Sequence, residues 1–165
     1  MKLRIFQYLV LAIALITGSN VMIAHCEMPC GIYDDKMRIN MIDEDILTIK
    51  KSMKQINFAE AITTGNTNEM TKENTVMRNG EMSYNQIVRW IITKDKTADN
   101  IQNIVSQYFM TQRISPDTKN YNEKLSLLHF MLIYAMKCKQ TTNIDNVNML
   151  KELLTKFDSI YFKKQ

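Results

Sequence analysis

Apolar residues recur every three or four positions along four separate stretches of this chain, and no stretch alternates with a period of two for long enough to make a strand. That spacing lines one side of an α-helix, and it predicts amphipathic helices with one buried face each. The first stripe is Ile42, Ile46, Ile49, Met53 and Ile56, reached through Asp34 or Asp35, either of which can cap a helix. A polar linker rich in Asn, Thr and Gly follows from Gly65 to Met82, and Ser83 with Gln86 then forms a capping box.

The second stripe is Ile87, Ile91, Ala98, Ile101, Val105 and Tyr108, stopped by Ser115-Pro116-Asp117. Tyr121, Leu125, Leu128, Leu132 and Ala135 make the third, which ends around Gln140-Thr141-Thr142. Val147, Leu150, Leu154, Phe157 and Tyr161 make the fourth. Four such helices with mostly short connections predict an all-α protein, an antiparallel four-helix bundle. Only 4 Gly and 2 Pro in 165 residues leave few points of interruption, and 45% hydrophobic content is enough for a core. The 13 Met residues are scattered, which reads as adaptable packing and not as a metal-binding array.

Upstream of the helices, Lys2 and Arg4 precede an apolar run from Ile5 to Thr17 broken only by Gln7, and Gly18-Ser19-Asn20 ends it. A basic start, a short apolar segment and then small or polar residues form the pattern of a signal peptide. The run is short against the about 20 residues of a membrane span. A cut after Ala24 makes residues 1–24 the leader and 25–165 the mature domain, and implies export without stable membrane association. Cleavage after Gly18 or Ser19 is the competing site, and a cytoplasmic chain with the leader acting as a propeptide is the competing location. The formal charge is +4, but the leader holds two of the basic residues and no acidic one, so the mature chain is only mildly basic. No block of Lys and Arg interleaved with aromatics points to nucleic acid.

The chemistry is concentrated in His25-Cys26-Glu27-Met28-Pro29-Cys30-Gly31-Ile32-Tyr33-Asp34-Asp35, which holds two of the three cysteines and one of the two histidines. A cut before His25 would free an α-amine, which titrates near about 8 and sheds its proton for a metal at modest cost. Amine, Cys26 amide nitrogen and Cys26 thiolate form fused chelate rings, and Pro29 and Gly31 can turn Cys30 into the same plane. Planar nitrogen and sulfur donors suit Ni(II) or Cu(II) better than tetrahedral Zn(II). On the residues alone two other readings stay open: a copper or nickel carrier without turnover, and a structural bundle with a Cys26–Cys30 disulfide, the usual state of nearby cysteines in an exported chain. Cys138 reads as a small buried apolar residue, and His129, inside a helix among apolar neighbours, as structural.

This hook resembles that of the nickel-containing superoxide dismutases, whose mature chains begin His-Cys-x-x-Pro-Cys-Gly-x-Tyr-Asp. His25, Cys26, Pro29, Cys30, Gly31, Tyr33 and Asp34 match in identity and spacing. Asn85 to Ile91 and Gln107 to Arg113 are similar to the second helix of marine-type members. The resemblance implies a four-helix subunit assembled as a homohexamer, one nickel per hook, and disproportionation of superoxide to dioxygen and hydrogen peroxide through a Ni(II)/Ni(III) cycle. It implies that His25 supplies the amine and an axial imidazole, Cys26 its amide nitrogen and thiolate, and Cys30 the second thiolate. Tyr33 would stand at the entrance, controlling anion access and ordering water for proton delivery. Glu27, Asp34 and Lys96 would give weaker support around the metal. Members of the family also orient the imidazole with a carboxylate and an arginine. Asn40, Met41 and Asp43 lie near the first position here, and no arginine lies near Lys96-Thr97, where Lys96 could serve instead.

Overall fold

The structure, a computed structural model, describes residues 34–64 and 84–163. The chain divides into two units, Met1–Ile32 and Tyr33–Gln165, and every described residue belongs to the second. The described residues form four helices, α1 (Asp35–Thr64), α2 (Tyr84–Asn103, running on as a π-helical segment, Ile104–Arg113), α3 (Tyr121–Gln140) and α4 (Ile144–Tyr161). The 65–82 linker and the Ser83 half of the capping box lie outside the described residues.

Side-chain pairings set the directions. Asp45 accepts from Asn100 at 2.6 Å and the Lys51 ammonium lies 5.9 Å from the Trp90 ring centre, so α1 and α2 run antiparallel. Gln102 donates to the Leu132 carbonyl and Lys94 to the Cys138 carbonyl, which reverses α3 against α2. Lys36 pairs with Asp158, Lys50 donates to Asn148 and Lys151 pairs with Asp43, so α4 runs against α1. The result is an up-down-up-down bundle. One end gathers the start of α1, the π segment, the start of α3 and the end of α4.

The first and fourth stripes are core as the spacing predicts, except that Tyr161 at the end of the fourth is half-buried. Ile42, Ile49, Met53, Val147, Leu150 and Phe157 are fully buried, each worth about 1.5–3 kcal/mol in transfer free energy. Two stripes differ in detail. Ile91 is 39% exposed and Ile87 half-buried, while Lys94, Ala98, Ile101 and Val105 are buried. Lys94 sits level with the last turn of α3, so the turns of α2 before it extend past the end of that helix and lose a neighbour. On α3 the buried row is Leu128, Met131, Ala135 and Cys138, and Leu125 and Leu132 are half-buried. Cys138 is buried as expected, and burial pushes its thiol up to about 11 against a smaller opposite effect of Lys94. His129 is exposed, because its side of α3 is the one turned from the bundle, with Phe130 beside it.

Helix ends follow local chemistry. The Asp34 carboxylate accepts the Lys36 and Met37 amides at 2.7 and 3.4 Å, and Asn143 accepts that of Asp145 at 2.9 Å. At the same end of the bundle as Asn143, Lys94 caps α3, its buried ammonium donating to the Cys138 and Lys139 carbonyls at 2.7 and 2.6 Å and pairing with Asp95. A cation there satisfies orphan carbonyls and offsets the negative end of the helix dipole.

Candidate metal centre

The predicted metal ligands His25, Cys26 and Cys30, and with them Glu27 and Tyr33, lie outside the described residues. Among the described residues no three His, Cys, Asp or Glu side chains converge to hold a metal ion. Asp34 is described, and its carboxylate serves the start of α1. Lys96 is exposed on α2. Asp43 is committed to Lys151 on α4, and the Met41 sulfur accepts from Arg38 at 3.6 Å.

What the structure does assemble, where the chain passes into α1, is a polar clasp around Asp35. One carboxylate oxygen accepts from the Tyr108 hydroxyl and from Arg113 Nε at 2.8 Å; the other accepts from the Tyr161 hydroxyl at 2.7 Å. Arg113 also donates to the Tyr108 hydroxyl at 2.8 Å, and its guanidinium lies 4.7 Å from that ring's centre. Arg38 lies over the same ring at 5.4 Å. The first residue of α1 is thereby tied to the π segment and to the last turn of α4.

The π register makes this possible. In an α-helix, residues five apart are turned about 140° from each other and face different sides. The π segment bonds five residues back, as the Ile114 amide does to the Phe109 carbonyl at 3.0 Å, which brings Tyr108 and Arg113 onto one side. The Thr111 and Gln112 side chains reinforce the register with bonds to the carbonyls of Ser106 and Gln107. Beneath the clasp, Phe109 packs edge-on against Tyr108, Phe157 and Tyr161 at 5.1–5.5 Å between ring centres.

Charge states follow from this packing. Burial alone pushes the Asp35 carboxyl up, but the Tyr108 and Tyr161 hydrogen bonds and the Arg113 charge outweigh it and hold the group below its ordinary range. Burial, then the hydrogen bond to Asp35, raises both tyrosines above theirs. At neutral pH the clasp is therefore a carboxylate held by two neutral hydroxyls and a guanidinium. Sequence reading placed Tyr108 and Tyr161 on core stripes and missed their hydroxyl partner. An Asp just inside a helix start, with an Arg at the end of a facing helix, was the available signal.

An antiparallel four-helix bundle preceded in sequence by two cysteines and a histidine defines a class: a helical bundle with candidate metal ligands ahead of its first helix. A family model for nickel-containing superoxide dismutase matches residues 20–165, and the chain belongs to that family. It is an oxidoreductase that acts on superoxide with nickel as its cofactor. No curated protein and no solved structure matches the chain.

Proposed function

We propose that this chain is exported, is cut between Ala24 and His25, and holds one nickel per subunit in the hook His25–Cys30, where it disproportionates superoxide. The family match from residue 20 onward, which spans the hook and all four helices, carries this reading. The donor set suits the metal: two thiolates with amine and amide nitrogens would suit Ni(II) better than zinc. His25 would hold it through its amine and imidazole, Cys26 through its amide nitrogen and thiolate, and Cys30 through its thiolate. Nickel so bound supplies one-electron chemistry between Ni(II) and Ni(III).

The overall reaction, 2 O2•− + 2 H+ → O2 + H2O2, consumes two protons. Tyr33 would meet the anion at the entrance and order the water from which its hydroxyl relays a proton. Glu27, Asp34 and Lys96 would support the site more weakly. Asp35, five residues past Cys30 in sequence, anchors the chain where it leaves the hook. The clasp supports the reading by fixing the first residue of α1, which follows the metal-binding segment in sequence. Exposed apolar residues, Tyr84, Val88, Ile91 and Ile92 on one side of α2 and Phe130 and Met136 on α3, support assembly into a homo-oligomer, by resemblance a hexamer.

The test is intact-mass and N-terminal analysis of the natural protein, purified without chelator, with metal content on the same sample. A chain starting at His25 with one nickel per subunit is expected. A mature terminus at Ser19 or Asn20, or Cys26 and Cys30 oxidised with no nickel, would overturn the reading, because the amine or the thiolates would be missing.

A further inference from the structure

A cavity of about 330 Å³ opens between the start of α3 and the end of α4, lined by Thr118, Lys119, Asn120, Lys124, Tyr161 and Lys163 together with Ile160. Three lysines line it, and among the described residues no acidic side chain does. Lys124 is the unusual member. It is only 7% exposed, yet among the described residues its ammonium has no hydrogen-bond or ion-pair partner and lies 5.4 Å from the centre of the Tyr161 ring. The stem of Lys124 is packed away while its ammonium is not among the buried atoms lacking a partner, so the charge meets the water of the cavity. Lys94, the other buried lysine of this bundle, meets a carboxylate and two carbonyls instead.

The backbone adds to the same polarity. Asn120 takes a left-handed conformation, φ 58° and ψ 35°, to start α3, and its side chain makes no capping bond. The first amides of α3 are thus left without a side-chain acceptor at a helix end that carries partial positive charge. Thr118 and Asn120 bring neutral polar side chains to the wall.

We propose that this cavity binds a small inorganic oxyanion of the phosphate and sulfate class, with Lys124 as its central ligand and Lys119 and Lys163 closing over it from the exposed side. A tetrahedral dianion supplies what the site lacks: a charge partner for Lys124 and several acceptor oxygens. The volume admits the anion with its water, and Thr118, Asn120 and the three lysines give it polar neighbours. The site involves none of the residues expected to hold nickel, so it is tested on the metal-free protein and its outcome is independent of the dismutase reading.

The experiment is calorimetric titration of the full metal-free mature chain with inorganic phosphate, then sulfate, at ionic strength fixed with sodium chloride, alongside thermal unfolding in the same buffers. One saturable site per chain is expected, with an unfolding midpoint that rises as the anion is added. Lys124→Met should lower the association constant by about tenfold or more, and Lys50→Met, on the opposite half of the bundle, should leave it unchanged. If Lys124→Met does not fold by circular dichroism, the exposed pair Lys119→Gln and Lys163→Gln takes its place and should weaken binding several-fold. No saturable uptake, or uptake equal in all variants and set by ionic strength alone, would overturn the proposal.

Discussion

Replacing Asp35 with Asn keeps the shape of the clasp and removes its charge. Asp35 accepts three hydrogen bonds, from Tyr108, Tyr161 and Arg113. Hydrogen bonds to a charged group are worth about 1.5–3 kcal/mol and neutral ones about 0.5–1.5, so neutralising the acceptor costs about 1 kcal/mol for each bond. The Asp35 and Arg113 side chains are 29% and 20% exposed, and water recovers part of that loss. We expect Asp35→Asn to destabilise the bundle by about 2–3 kcal/mol, or about 8–12 °C in the unfolding midpoint of a domain this size. Lys36→Gln, which breaks the exposed pair with Asp158, should cost less than about 1 kcal/mol.

The pH dependence adds a second reading. The Asp35 carboxyl is held below its ordinary value of 3.8, so its contribution is fully present above that value and is lost as pH falls through the lower folded one. The gap between wild type and Asp35→Asn in urea unfolding should therefore narrow on acidification below about pH 4 and stay constant between about pH 5 and 8. A variant within about 0.5 kcal/mol of wild type at neutral pH, or a gap that does not narrow in acid, would refute the claim that the clasp holds α1 in place.

Three further outcomes test the rest of the fold. Lys94→Met should lose about 2 kcal/mol in denaturant unfolding, because the Cys138 and Lys139 carbonyls lose their donor, and hydrogen exchange should quicken in the last turn of α3. Phe109→Ala empties the centre of the aromatic cluster and should cost about 3–5 kcal/mol by the same assay. The Cys138 thiol, buried and pushed up to about 11, should resist thiol reagents at pH 8 in the native protein and react fully in denaturant.

Much of the bundle was legible because helix formation follows a local period. The stripes of α1 and α4 are buried where spacing put them, and the breaks at Ser115-Pro116-Asp117 and Thr141-Thr142 fall between helices. Ile91 shows the limit of that reasoning. Its spacing marks it as core, but where α3 stops relative to α2 decides whether anything covers it. The hook was legible as a set of candidate donors, His25, Cys26 and Cys30, whose types alone left a metal site and a disulfide both open. Asp35 and Arg113 carried no such mark, being two charged residues 78 positions apart.

Sequence alone determined four amphipathic helices, their order, and a donor-rich segment ahead of them, because periodicity, capping and ligand chemistry reside in neighbouring residues. Tertiary structure decided which polar side chains meet. It closed the clasp through a π register that no apolar stripe encodes, placed Lys94 over the end of α3, and set Lys124, with no ion-pair partner among the described residues, beside a cavity. Those pairings depend on how far each helix runs past the next, a property of the packed bundle and of no single segment.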